Sequence, residues 1–342
     1  MKSSRMMAAL MAVSLIQVLC LLSPSFAGTL TLNLKWTTND IFAKPPAEPN
    51  VGGQEAFTWM AEEIKKRTGG EVQMEIYWGA VLGEETTTLK MVPQGTIHAQ
   101  PVSGSNLARF APEFGFFSVG YLFKSYDHFE RVMGDERVFT RLQKIVQDKN
   151  VGFQYAGMGI TGTRNLYNRK KPVSTLEDLK GMKMRVMASP IEHEVWSALG
   201  MLPANIVSTE IYTSLQSGVV DASESSVSYI IANKYYEVAP HITLTMHQFS
   251  THAYVIGDRT LKLIPARHVP AVLSVLRETG PRQIRATAKL QERDLVKMKA
   301  LPKVTVTDPD TRPFIEKLRP VQDKVAKQLG MEDVLKIIRE LQ

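Results

Sequence analysis

The run Leu30-Thr31-Leu32-Asn33-Leu34-Lys35-Trp36 alternates apolar with polar side chains, and Val72-Gln73-Met74-Glu75-Ile76-Tyr77-Trp78 does so again. Between them Phe57, Met60, Ala61 and Ile64 recur at helical spacing until Thr68-Gly69-Gly70 stops the pattern. A period of two buries one face of a strand, and a period near 3.6 buries one stripe of a helix. Strand, helix and strand in this order make a parallel pair joined by a crossover helix. A polar loop, Lys44-Pro45-Pro46-Ala47-Glu48-Pro49, precedes the helix. The chain thus opens its globular part as an α/β domain.

The same grammar returns further on. Val151 to Ala156 reads as a strand, and Ser174-Thr175-Leu176-Glu177 as a capping box for a short helix that ends at Gly181. Met182, Met184 and Val186 alternate with Lys183 and Arg185, Ile191 to Leu199 is helical, and Ile211 to Leu215 begins another helix. A strand-like run spans Thr245 to Ile256, and the tails Pro265 to Lys299 and Arg312 to Gln342 are helical in period. Two α/β lobes with a helical tail are expected, which suits the length of the chain.

Composition narrows the function. Lys2 and Arg5 precede an apolar run from Met6 to Leu22, and Ser25-Phe26-Ala27 supplies small residues before a cut after Ala27. That is the layout of a secretory signal, so the protein is expected outside the cytoplasm, in the periplasm. Cys20, the single cysteine, would leave with the signal, taking disulfide and thiol chemistry with it. The net charge of +7 would drop to +5 on losing Lys2 and Arg5, and the surplus is scattered in runs such as Lys65-Lys66-Arg67. A nucleic-acid surface needs a denser basic stripe, so no nucleic-acid partner is expected.

Enzyme signatures are missing. Gly157-Met158-Gly159-Ile160-Thr161-Gly162 matches a dinucleotide loop in letters, but Asn168 and Pro172 break the helix that would aim its N–H groups at a pyrophosphate. These glycines are read instead as bends where the chain crosses between lobes. His193-Glu194 lacks the second histidine of a zinc-protease helix, and there is no Gly-x-Ser-x-Gly elbow. No catalytic residue, cofactor or metal is expected. Arg185 is the informative side chain: it alternates out of phase with Met184 and Val186, just before Pro190 and a helix. It therefore stands near the C-terminal end of a strand, the edge where α/β sheets bind ligands. Its planar fork suits two oxygens of one carboxylate or sulfonate. On the residues alone, that role and a structural ion pair with a nearby glutamate are both open.

Taken together the segments resemble the DctP-like receptors of tripartite ATP-independent periplasmic (TRAP) transporters over nearly the whole mature chain. The resemblance rests on Tyr77-Trp78-Gly79-Ala80-Val81-Leu82-Gly83-Glu84-Glu85, Gln94-Gly95-Thr96-Ile97 and Phe110-Ala111-Pro112-Glu113-Phe114-Gly115. It continues through Leu176 to Val186, Glu210 to Asp221 and Lys234-Tyr235-Tyr236-Glu237-Val238. It implies a two-lobed periplasmic-binding-protein fold, each lobe a mixed sheet flanked by helices around a central cleft, with long C-terminal helices. Lobe I would comprise residues 28–161 and 251–290, and lobe II residues 162–250 and 291–342. The implied clamp is Arg185, with Arg164 as a second basic contact and Ala188 and Ser189 after the strand. In the first lobe the matched positions are Glu85, Val102, Ser103 and the stretch from Thr37 to Asn39. The implied partners are a small organic anion and the small and large integral-membrane subunits of a permease.

Two departures bear on the solute. Ser225 stands where many relatives carry asparagine, and Ser208 where they often carry an aromatic residue. Ser208 serves equally as a ligand contact or as the N-cap of the following helix. A sulfonate has a third oxygen that wants its own donor, and serines near the fork could supply it. A short sulfonate such as isethionate therefore competes with a C4-dicarboxylate or hydroxy acid. A binding partner of a sensor or chemoreceptor, and an exported hydrolase, are the rival functions.

Overall fold

The structure, a computed structural model, describes residues 31–38 and 52–342. The expected signal, Cys20, the proline-rich loop and Asn39 lie outside the described residues. The opening unit is as the alternation requires. Strand β1 (Leu32–Thr37) runs parallel to β2 (Val72–Tyr77), with Trp36 beside Ile76, and α1 (Gly52–Arg67) makes the crossover. Next come α2 (Glu85–Met91), β3 (Ala99–Ser103), α3 (Gly104–Leu107), a 3₁₀ segment Pro112–Ser118, α4 (Tyr126–Gly134) and α5 (Glu136–Lys149).

The chain then enters β4 (Phe153–Asn168), followed by β5 (Lys183–Val186), α6 (Pro190–Ala198), β6 (Leu202–Asn205), α7 (Ile211–Ser217), β7 (Ala222–Ser226) and α8 (Val227–Ala232). Strand β8 (His241–Gly257) leads to α9 (Asp258–Leu263), α10 (Val269–Ala300), the short β9 (Thr305–Thr307), α11 (Arg312–Leu329) and α12 (Glu332–Glu340). Among the described residues hydrogen bonding joins the strands into one nine-stranded sheet, in the order β2-β1-β3-β8-β4-β7-β5-β6, with β9 on β8. The two sheets expected for two lobes merge because β4 and β8, 16 and 17 residues long, run antiparallel through both. The first lobe hangs on one end of this pair through β3, and the second on the other end through β7.

The crossing pair is irregular midway. Its register slips between Ile160 and Thr163, where Gly162 adopts φ 129°, and again beyond Arg164, where Met246 on β8 adopts φ 41°. A non-glycine residue at positive φ inside a strand marks a bulge that bends the ladder. Gly162 thus supplies the expected bend. The register also slips beside Gly157, and Gly157 and Gly159 let α10 lie against β4. A Cβ at Gly159 would overlap the Gln283 amide oxygen and the Tyr254 hydroxyl, and one at Gly157 would come within 3.0 Å of the Leu276 carbonyl oxygen.

Three apolar clusters fill the fold. Leu34, Trp36, Phe57 and Met60 pack with Val272, Val275 and Leu276 of α10 beneath the first lobe. Ile211, Leu215, Ile230 and Ile242 pack with Met298, near the other end of α10, beneath the second. The largest cluster runs unbroken from Leu89 and Phe117 through Met184 and Trp196 to Leu318 and Ile338.

The interlobe cleft, a candidate anion site

Over the crossing strands lies a cleft of about 190 Å³. It brings together six of the side chains expected from sequence: Arg164, Arg185, Ser208 and Ser225 from the second lobe, Glu85 and Ser103 from the first.

Arg185 is set by the alternation of β5. Met184 and Val186 are buried in the main core, so the residue between them turns to the cleft. Its Nε donates to the Ile206 carbonyl at 2.9 Å, which fixes the plane of the guanidinium, and the side chain is 4% exposed. No carboxylate among the described residues forms an ion pair with it. The glutamate pairing that sequence left open for Arg185 is found at the other arginine. Arg164, on β4, sends Nε and Nη2 to the Glu224 carboxylate, with Nη2 to Oε1 at 2.6 Å, and Nη1 to Ser250 Oγ at 3.1 Å. Burial works to raise the Glu224 pKa, but the Arg164 charge overrules it and holds the carboxyl well below its usual range. Arg164 is therefore neutralised from within, while its side chain still lines the cleft. His247 stands 3.6 Å from Glu224 and packs edge-on against Trp196, and burial lowers its pKa.

The opposite wall is acidic and hydroxylic. Glu85 opens α2, and its Oε1 accepts from Ser103 N at 2.9 Å, Ser103 Oγ at 2.8 Å and Asn106 Nδ2 at 2.8 Å. Its Oε2 accepts no hydrogen bond among the described residues and stands 3.9 Å from His252 Nε2. Glu84, beside it, also lines the cleft.

Several expectations change. Ser208 is exposed at the start of a 3₁₀ turn and caps no helix through its side chain; Glu210 takes the N-cap position of α7. Val102 is fully buried in the core, and Thr37 is buried while its neighbour Thr38 lines the cleft. Ala188 is exposed and Ser189 is the buried N-cap of α6; neither lines the cleft, whereas Met187 does. Sequence reasoning missed an aromatic wall of Tyr167, Tyr229 and Tyr235, in which Tyr167 and Tyr235 stack at 5.5 Å. The only signal was Lys234-Tyr235-Tyr236, whose facing cannot be read from a 3₁₀ turn. Among the described residues no group of three or more His, Cys, Asp or Glu side chains could hold a metal ion. No helix among them is long and apolar enough to cross a membrane.

The family described as bacterial extracellular solute-binding protein, family 7 (DctP), matches residues 42–328. A solute-binding protein of Sulfitobacter sp. (strain NAS-14.1) is 30% identical over 81% of this chain and 84% of its own. The 2,3-diketo-L-gulonate-binding periplasmic protein of Escherichia coli K12 is 27% identical over 82% of this chain and 85% of its own. A crystal structure of a TRAP periplasmic solute-binding protein from Sulfitobacter sp. NAS-14.1, with bound α-D-taluronate, superposes with a TM-score of 0.80 at 28% identity, covering 91% of this chain and 98% of that one. The chain belongs to family 7 of the bacterial extracellular solute-binding proteins: it is a DctP-like periplasmic receptor of the TRAP type, a binding protein and not an enzyme.

Proposed function

We propose that the cleft seats a small hydroxylated organic acid, its carboxylate on Arg185 and its hydroxyls on Glu85 and the surrounding serines. The observation that carries this is the pairing of opposites across the cleft: among the described residues, Arg185 has no ion-pair partner on one wall, and Glu85 Oε2 accepts no hydrogen bond on the other. An anionic head needs the first, and a hydroxyl donor needs the second. A C4-dicarboxylate would bring its second negative end toward Glu84 and Glu85. Isethionate would satisfy the serines but offers a single hydroxyl. The relatives with bound taluronate or named for diketogulonate handle sugar acids, and the same class suits this cleft.

The cycle involves no bond chemistry. Solute enters the open cleft, and its differential affinity for the closed form draws the lobes together about Gly162 and Met246. Closure excludes water and strengthens each charged hydrogen bond. The closed complex is then passed to the small and large membrane subunits of a permease. Calorimetric titration with D-glucuronate, D-erythronate, succinate and isethionate tests the specificity. Stoichiometric binding of the hydroxylated carboxylates ahead of the other two is expected; preference for succinate or isethionate, or turnover of any of them, overturns the assignment.

A further inference from the structure

Beneath the cleft, Glu192 links its two walls. It is the third residue of α6, 2% exposed. Its Oε1 accepts from Ser105 Oγ of α3 at 2.8 Å, and its Oε2 accepts from the Met187 N–H at 3.1 Å. Ser105 lies between Ser103 and Asn106, which hold Glu85 on the first wall. Met187 lies two residues after Arg185 on the second. Ser105 Oγ in turn meets Ser118 Oγ at 2.9 Å, and either hydroxyl can donate. That ambiguity matters. An ionised Glu192 takes Ser105 as donor, and Ser118 donates to Ser105 behind it. A protonated Glu192 donates to Ser105 instead, and Ser105 turns its hydrogen toward Ser118. The chain of hydroxyls thus accommodates both states of one buried carboxyl.

The charges around it complete the case. Burial raises the Glu192 pKa, Glu224 raises it further, and Arg164 and Arg185 oppose them. His247 faces Trp196 of the same helix, and burial lowers its pKa against the pull of Glu224. On the outer face of α6, Glu194 is paired with Lys324 at 2.8 Å and His193 meets Asn205 at 2.8 Å. Arg164 is already paired with Glu224, so of the two cations that favour the ionised form of Glu192, Arg185 is the one the solute would neutralise.

We propose that Glu192 is a proton store between the walls of the cleft, taking one proton from solvent when a solute carboxylate neutralises Arg185. This rests on Arg185 being the carboxylate seat. Solute and proton would then be captured together, and affinity would rise as pH falls, by up to about tenfold per pH unit within the window between the unliganded and liganded values.

Two measurements test it, one without solute. The stability difference between wild type and Glu192→Gln, followed against pH by denaturant unfolding, should fall with rising pH and level off where Glu192 ionises. In an Arg185→Met background, Arg185→Met against Arg185→Met/Glu192→Gln, the levelling should move to higher pH. An unmoved profile overturns the coupling. Titration of D-glucuronate in phosphate and in imidazole buffer should give heats that differ by the buffers' ionisation enthalpies, and Glu192→Gln should abolish the difference. D-glucuronate binding with no proton uptake overturns the proposal. Failure of D-glucuronate to bind at any pH removes the proposed solute class, while the ligand-free profiles still decide the proton site.

Discussion

Replacing Arg185 with methionine should have opposite effects on two properties. Arg185 is 4% exposed, its guanidinium held by one bond to the Ile206 carbonyl, beside Tyr167 and Tyr235 and without a carboxylate ion-pair partner among the described residues. A solute carboxylate would complete that pair. Breaking a buried charge pair by removing one partner costs about 3–5 kcal/mol, which is roughly two hundred- to several thousand-fold in Kd. Without solute the balance reverses, because a buried cation lacking a partner is itself a burden on the fold. Arg185→Met should therefore melt at the same temperature as wild type or higher, yet lose its solute-induced rise in melting temperature. Arg185→Lys keeps the charge and loses the fork, so an intermediate loss of about 1.5–3 kcal/mol, one charged hydrogen bond, is expected. Thermal melting and calorimetry with D-glucuronate read both effects. Affinity unchanged in Arg185→Met, or a folded protein that is markedly less stable, would refute the reasoning.

Arg164→Ala should destabilise the protein by about 3–5 kcal/mol, since it strands Glu224 in the interior; a denaturation midpoint equal to wild type would contradict this. The Glu224 pKa is depressed in the folded state, so its share of stability is present above the ordinary value of 4.5 and is lost as pH falls through the folded value. Acid unfolding of Glu224→Gln should accordingly be less steep than that of wild type. Gly159→Ala drives a methyl into Gln283 and Tyr254 and should cost about 1–3 kcal/mol of overpacking, seen as a lowered melting point with solute affinity retained in the folded fraction. Glu85→Gln removes the unpaired acceptor and lessens the negative charge opposite Arg185, so D-glucuronate should weaken and succinate strengthen; parallel losses for both would argue against a hydroxyl seat.

Much of the fold was legible because local periodicity and tertiary burial agree. Within the described residues the two opening alternations became β1 (Leu32–Thr37) and β2 (Val72–Tyr77) in parallel register, and the phase of Arg185 against Met184 and Val186 gave its facing correctly. The capping box was displaced by one residue: Thr175 and Asp178 make it, not Ser174 and Glu177. The failures share a cause. Strand β4 was read as stopping at Ala156, because its Gly157, Gly159 and Gly162 look like loop letters, whereas two of them serve an overlying helix. Which arginine already has an internal partner was equally hidden, since Arg164 and Glu224 meet only through the pairing of β4 with β7. Within the matched stretch after β1, Thr38 lines the cleft and Thr37 does not, and after β5 Met187 lines it where Ala188 does not, because a single step along an extended chain reverses a side chain.

Helix α10 is about 48 Å long at 1.5 Å per residue, and its two ends close the floors of different lobes. Trp36 and Phe57, made early, must wait for Val272 and Leu276, made late, before their apolar faces are covered. The first half of a nascent chain is therefore a sticky, unfinished body until almost all of the polypeptide has been delivered, a natural client for holding chaperones. Truncation before Val269 should leave no surviving half-protein, only aggregate.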